Sequence, residues 1–289
     1  MKFWQSLAFC ELDQAVELAR FAEELGFYGV SFGDHLITTK TQVDEYFYTK
    51  SGQVMWHPET HWPDPWVLSA VLARETSRLR FLTTVYVLPM RETLNAAKAI
   101  STAAYLSDDR IVMGVGIGWQ KAEFELTGQD FHTRGRRVDE QLVVIRKLMS
   151  GEMVEYHGQF HDFPPLRMSP GTRQPVPIFI GGTSDAALRR AARYEGWLGL
   201  RHTEEELRGI LAKLRQARDE AGTLGRPFEV WATIDNLQPG AFERIEVMGV
   251  TMTNGTHFMI DGKVQPSDIG FKKRRMEEFA RRHIHASLA

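Results

Sequence analysis

A strand-then-helix unit recurs eight times along this chain, and that alternation restricts its fold more than any other feature. Residues 2–9 read as a first strand, and Asp13 is placed to cap a helix whose Val16, Ala19, Ala22 and Leu25 share one face before Gly26 ends it. Residues 27–32 form a second strand, and Asp64-Pro65 is a cap followed by proline at the first helical position of an alanine-rich helix reaching Thr76. Strands follow at residues 79–88 and 110–115, separated by a helix over 96–106. The second half continues with a helix over 134–149, strands at 177–180, 197–200, 228–234 and 250–252, and helices at 183–194, 203–221, 242–248 and 269–284. Thr203 with Glu206 is a capping box. Strands separated by helices pair in parallel, because the crossover leaves no room for a hairpin. Eight such units in 289 residues predict an α/β fold, a (β/α)8 barrel in one domain over residues 1–289. An open doubly wound sheet of eight strands is the alternative that the pattern itself leaves.

Two stretches break the rhythm. Residues 38–63 leave the second strand with five aromatics (Tyr46, Phe47, Tyr48, Trp56 and Trp62), and residues 152–176 hold four prolines without regular patterning. Long irregular segments in a compact domain usually bind or cover something, and the first departs from a strand's C-terminal end, where barrel active sites lie. We therefore expect residues 38–63 to be a lid. Composition narrows the partners. A net charge of −2 offers no basic excess for nucleic acid or anionic lipid, and no apolar run reaches the ~20 residues of a membrane span. The lone Cys10 forms no intrachain disulfide and reads as packing. A soluble cytoplasmic protein acting on a small molecule is the expectation.

Candidate chemistry gathers at strand ends. Asp34-His35 follows the second strand; an acid beside an imidazole suits proton transfer near neutral pH, and a cap with a solvated histidine is the plain alternative. Gly114, Gly116 and Gly118 follow the fourth strand, but G-x-G-x-G lacks the spacing of a dinucleotide fingerprint, so a tight loop beneath a flat ring fits better. Gly181-Gly182-Thr183-Ser184 opens a helix and suits a cofactor phosphate, though Thr183 or Ser184 could equally be an ordinary cap. Thr83 and Thr84 read as barrel packing. His57-Pro58-Glu59-Thr60-His61 lacks the zinc-protease order, and proline interrupts the helix that such a pair needs. Arg134, Arg136 and Arg137 open a helix at its unfavourable end, which suits an anionic partner or ion pairs to Asp139 or Glu140.

In order along the chain stand Gly33-Asp34-His35, Trp62-Pro63-Asp64-Pro65, the run from Leu79 to Val85 into Leu88-Pro89, the run from Arg110 to Trp119, the run from Phe131 to Glu140, and Pro177-Ile178-Phe179-Ile180-Gly181-Gly182. This series resembles the luciferase-like monooxygenase superfamily over nearly the whole chain, and most its branch using the deazaflavin coenzyme F420. The resemblance implies that Asp34 and His35 contact the deazaflavin ring. It implies a bulge near Thr84, Val85 and Tyr86, often with a non-prolyl cis peptide, that backs the ring. Gly116 and Gly118 would line the ring's edge, Gly181 and Gly182 would take the side-chain phosphate with Thr183 beside them, and the protein would be a homodimer. One departure stands out: the sugar-phosphate dehydrogenases of that branch place a proton-transferring glutamate where this chain has Trp119, which could stack on a ligand or merely pack.

The expected activity is hydride transfer between F420 and an apolar substrate beneath the aromatic lid. His35 carries the proton role, because an imidazole's ordinary pKa of about 6.5 lies near neutrality. An FMN-dependent monooxygenase served by a separate reductase is the second reading, and a non-catalytic flavin-binding relative the third.

Overall fold

The computed structural model describes residues 1–40, 54, 56–235, 238–260, 263–264 and 267–285. Eight parallel strands close into a ring: β1 (Lys2–Ser6), β2 (Gly29–Phe32), β3 (Arg80–Thr83), β5 (Ile111–Gly116), β8 (Ile178–Gly181), β9 (Gly196–His202), β10 (Glu229–Ile234) and β11 (Met252–Asn254). Their order is β3-β2-β1-β11-β10-β9-β8-β5, and pairing of Phe81 with Ile111 and Leu82 with Val112 brings β3 back to β5. That last pairing decides for the barrel over the open sheet.

Inside the ring Trp4, Leu82, Val112, Phe179, Leu198, Trp231 and Met252 form one buried cluster. Trp4 and Trp231 are fully buried, so the barrel's lower half is packed rather than hollow. The described helices are α1 (Ala15–Glu24), α2 (Pro65–Glu75), α3 (Thr93–Leu106), α4 (Lys121–Leu126), α5 (Arg134–Met149), α6 (Asp185–Ala191), α7 (Glu204–Glu220), α8 (Ala241–Val247) and α9 (Ile269–Phe279); the short α4 lies at the mouth, against the segment after β2. Asp64 caps α2 by accepting from the backbone N–H groups of Trp66 and Val67, and Thr203 with Glu206 completes the capping box of α7. Such a cap is worth about 1 kcal/mol. Among the described residues no helix is long and apolar enough to cross a membrane.

Two expectations change. Asp13 does not cap α1; it lies within a 3-10 turn, Leu12–Gln14, and the residue before that turn, Glu11, turns its carboxylate to the buried Lys272 of α9 and the backbone N–H of Ser267. Residues 152–176 are irregular only in part. β6 (Met153–His157) and β7 (Asp162–Arg167) make an antiparallel ribbon against α3 and α5, with the His161 imidazole between Glu140 and Thr93. Pro164 and Pro165 sit in β7, where consecutive residues face opposite edges: one proline falls on the unpaired edge and the other in the register shift between the Val154–Leu166 and Tyr156–Phe163 pairs. The third strand is interrupted where the resemblance implied a bulge: β3 ends at Thr83 and a short β4 (Tyr86–Val87) resumes after a cis peptide between Thr84 and Val85. Of the expected lid aromatics, Tyr46, Phe47 and Tyr48 lie outside the described residues.

Candidate active site

The end of β2 delivers two side chains with different duties. Asp34 is buried, its Oδ2 accepting from the backbone N–H of Val87 at 2.9 Å and its Oδ1 from Arg91 Nη2 at 2.7 Å. Burial pushes this carboxyl above the usual carboxylate range, against the pull of the Arg91 guanidinium. Asp34 is thus a clamp on the segment after the cis peptide, and both its oxygens are taken by protein groups. Arg91 also lies over the Tyr86 ring, 4.7 Å from its centroid, and Tyr86 meets Trp66 edge-on, so Tyr86 is buried toward α2.

His35 stands next to the clamp. Its Nδ1 is 3.2 Å from Glu123 Oε2, while Glu123 Oε1 accepts from the backbone N–H groups of Leu36 at 2.8 Å and Ile37 at 3.4 Å. Three indoles surround the imidazole: Trp62 edge-on at 4.8 Å, Trp56 tilted at 5.5 Å and Trp119 edge-on at 6.1 Å. Phe9 stacks on Trp56 and meets Trp62 edge-on, from a backbone with φ of 66° that bulky residues seldom adopt. A carboxylate behind an imidazole, with aromatic faces around both, sets up proton exchange in a place poor in water.

Beside this pair, on the neighbouring strand, lies the bulge. Leu82 pairs with Val112 and Tyr86 with Val115, so four steps on one strand match three on the other, and the extra residue falls at Thr84–Val85. Val85 lies against two glycines: a Cβ at Gly116 would stand 2.3 Å from Val85 Cγ2, and one at Gly181 would stand 3.0 Å from Cγ1. The half-buried valine therefore lies flat in a trough at the barrel mouth, a platform on which a planar ring system can rest. Thr83 fixes the platform's root by exchanging hydrogen bonds with the Gly114 backbone at 2.7 and 2.9 Å. Gly118, at φ of 79°, passes under Val87 and Phe124.

The Gly181-Gly182-Thr183 turn is more open. Gly182 and Thr183 are exposed, Gly182 O accepts from Trp197 Nε1 at 2.8 Å, and Ser184 rather than Thr183 caps α6 by accepting from Ala187 N.

Sequence reasoning put His35, Trp119, Val85, Gly116 and Gly181 at this mouth, and the structure brings them there. It missed Glu123 and Arg91, each visible only through its partner; the one available signal for Glu123 was the helix-forming run that makes α4. At the start of α5, Arg134 and Arg137 do not make the expected ion pairs to Asp139 or Glu140. Arg134 donates to the carbonyls of Gly118 and Phe131 and so braces the glycine loop, whereas Arg137 donates to those of Asp130 and Pro89 and ties the start of α5 to the segment after β4. Asp139 pairs with Arg190 and Arg193 instead, and Glu140 with His161. His61 accepts from Leu12 N through its Nδ1. Cys10 is buried, with its thiol pushed up to about 12, which leaves it inert as a nucleophile.

Residues 5–235 match the family model described as luciferase-like monooxygenase. An uncharacterized protein of Mycobacterium tuberculosis is 34% identical over 252 residues, 87% of each chain. An F420-dependent hydroxymycolic acid dehydrogenase of the same organism is 27% identical over 237 residues, 79% of this chain and 61% of that protein. Among solved structures, monooxygenase RslO1 from Streptomyces bottropensis aligns with a TM-score of 0.76 at 20% identity, over 99% of this chain and 100% of its own. The coenzyme F420 dependent tetrahydromethanopterin reductase from Methanopyrus kandleri gives 0.75 at 16% identity, over 99% of both chains. At those identities the likeness is one of fold.

Proposed function

The chain belongs to the luciferase-like monooxygenase family, which makes it an oxidoreductase, and from that premise we propose that its barrel mouth holds coenzyme F420 and serves hydride transfer to or from an apolar organic molecule. The observation that carries this reading is the pairing of a flat apolar platform, Val85 seated on Gly116 and Gly181, with an imidazole held by a carboxylate, His35 on Glu123. When bound, F420 supplies a ring carbon that donates or accepts the hydride.

The rest of the chemistry belongs to the protein. Val85 and the Thr84 backbone support one face of the ring, and Asp34 keeps that support in place through Val87 N. His35 gives or takes the proton that accompanies the hydride on the substrate's heteroatom. Trp56, Trp62 and Trp119 exclude water and favour an apolar partner. The backbone N–H groups at Gly182 and Thr183 hold the phosphate of the side chain. F420 is favoured over FMN because F420-dependent relatives align over most of this chain. The proposal includes a homodimer working on a small molecule in the cytoplasm.

Titrating the purified protein with F420 and, separately, with FMN tests the cofactor. F420 should bind at least about tenfold more tightly. Tight FMN with weak F420 would favour a monooxygenase served by a reductase, and tight binding of either without hydride transfer would favour a non-catalytic relative. With menadione as an apolar hydride acceptor from reduced F420, His35→Ala should slow turnover by about a hundredfold. Unchanged affinity together with unchanged turnover would remove His35 from the mechanism.

A further inference from the structure

Glu123 is buried, 2% exposed, in the first turn of α4, and both its oxygens are engaged with the same short stretch of chain. Oε1 accepts from the backbone of Leu36 and Ile37, and Oε2 faces His35 Nδ1. Backbone N–H groups can only donate, so Oε1 is an acceptor whatever else happens, and a carboxylate oxygen beside it accepts as well. The imidazole hydrogen then sits on Nδ1, which makes Nε2 the nitrogen that exchanges a proton. A second side chain from the same loop, Gln120, donates from Nε2 to Thr39 Oγ1 at 2.9 Å. The segment just after the glycine loop therefore grips the stretch from His35 to Thr39, the root of the aromatic insertion.

We propose that Glu123 is the positioning residue for His35: it selects the tautomer with hydrogen on Nδ1 and, through the Leu36 and Ile37 amides, fixes where the ring stands. The inference rests on the reading that His35 handles the proton, but its test does not. Glu123→Gln keeps the shape of the side chain and leaves an amide oxygen to accept from Leu36 N. It also turns an NH2 donor toward His35 Nδ1, which must then accept, so the hydrogen moves to Nε2.

Histidine-selective 15N NMR at about pH 8, where an ordinary imidazole is neutral, reads the tautomer directly. The wild-type protein should show His35 with an unprotonated Nε2, and Glu123→Gln should show the reverse. Oxidation of reduced F420 by menadione should fall at least about tenfold in kcat for Glu123→Gln, with F420 affinity changed less than about threefold. A wild-type spectrum with hydrogen on Nε2, or a tautomer that Glu123→Gln leaves unchanged, overturns the proposal, and the wild-type measurement stands even if the variant does not fold. A tautomer that switches in Glu123→Gln while His35→Ala retains full turnover keeps Glu123 as the positioning residue and removes His35 from catalysis.

Discussion

His35 and His202 stand at strand ends on the same mouth of the barrel, at β2 and β9, and their surroundings differ in kind. His35 has a carboxylate at its Nδ1 and indoles around its ring. His202 stacks on Trp197, ring centroids 6.0 Å apart, with Nε2 buried and without a hydrogen-bond partner among the described residues. Burial holds His202 below the ordinary imidazole pKa, with Glu206 and Asp235 opposing from outside. An imidazole with a buried, unpartnered nitrogen is held as a neutral stacking plate; one buried against a carboxylate has a fixed hydrogen and a direction. The contrast extends to the walls. On the β2–β3–β5 side Asp34, Arg91, Glu123 and Thr83 each meet a partner that locks the platform, whereas the β8–β9 side offers an exposed turn on a short helix.

If the β2–β3 side is the rigid half, breaking its clamp should have the largest effect. Asp34→Asn removes the charge from a buried pair and leaves the Arg91 guanidinium without its counterion, a loss of about 3 kcal/mol. Urea denaturation should show that loss, and F420 affinity should drop with it, because the Val87 anchor and the platform move together. A loss under about 1 kcal/mol would mean that Asp34 is better solvated than its contacts imply and that the two halves are alike.

The same contrast explains what was legible in the sequence. Apolar periodicity and caps located the barrel strands and most of the helices, because those signals are local: Asp64 before Pro65, and Thr203 with Glu206. Residues 153–167 were misread because two prolines conceal an alternation that an edge strand tolerates. Glycines and the Asp34-His35 pair marked the site, because their residue types are conspicuous. The partners that give those residues their roles were not visible. Glu123 lies 88 positions from His35 and Arg91 lies 57 from Asp34, and only closure of the barrel brings each pair together. Nothing local distinguishes Glu123 from Glu125, yet only the first reaches the imidazole.

A smaller effect separates the two histidines by pH. The folded His202 resists protonation below its ordinary value of 6.5, while the unfolded chain takes up the proton there. Unfolding therefore binds a proton in that window; the His202 contribution to stability is complete above pH 6.5 and is lost as pH falls through the folded pKa. His202→Phe keeps the stack on Trp197 and removes the titration, so its denaturation midpoint should fall less than that of the wild type on acidification. An equal fall in both would show that His202 is not the neutral plate described above.

The smallest effect is expected at the turn after β8, and it tests whether that side binds anything at all. Ser184, not Thr183, caps α6, and Asp185 places a negative charge in its first turn, so the helix end alone is a poor anion site. Any grip on a phosphate must come from the Gly182 and Thr183 backbone with the Thr183 hydroxyl, which is exposed. One hydrogen bond to a charged group in that setting is worth about 1 kcal/mol, so Thr183→Ala should weaken F420 binding by roughly fivefold. The same substitution should leave the affinity of a deazaflavin lacking the phosphate side chain unchanged, because under the proposed function its ring would rest on Val85 and not on the turn. Equal weakening of both ligands would move the effect to the ring end and leave the phosphate without an assigned site.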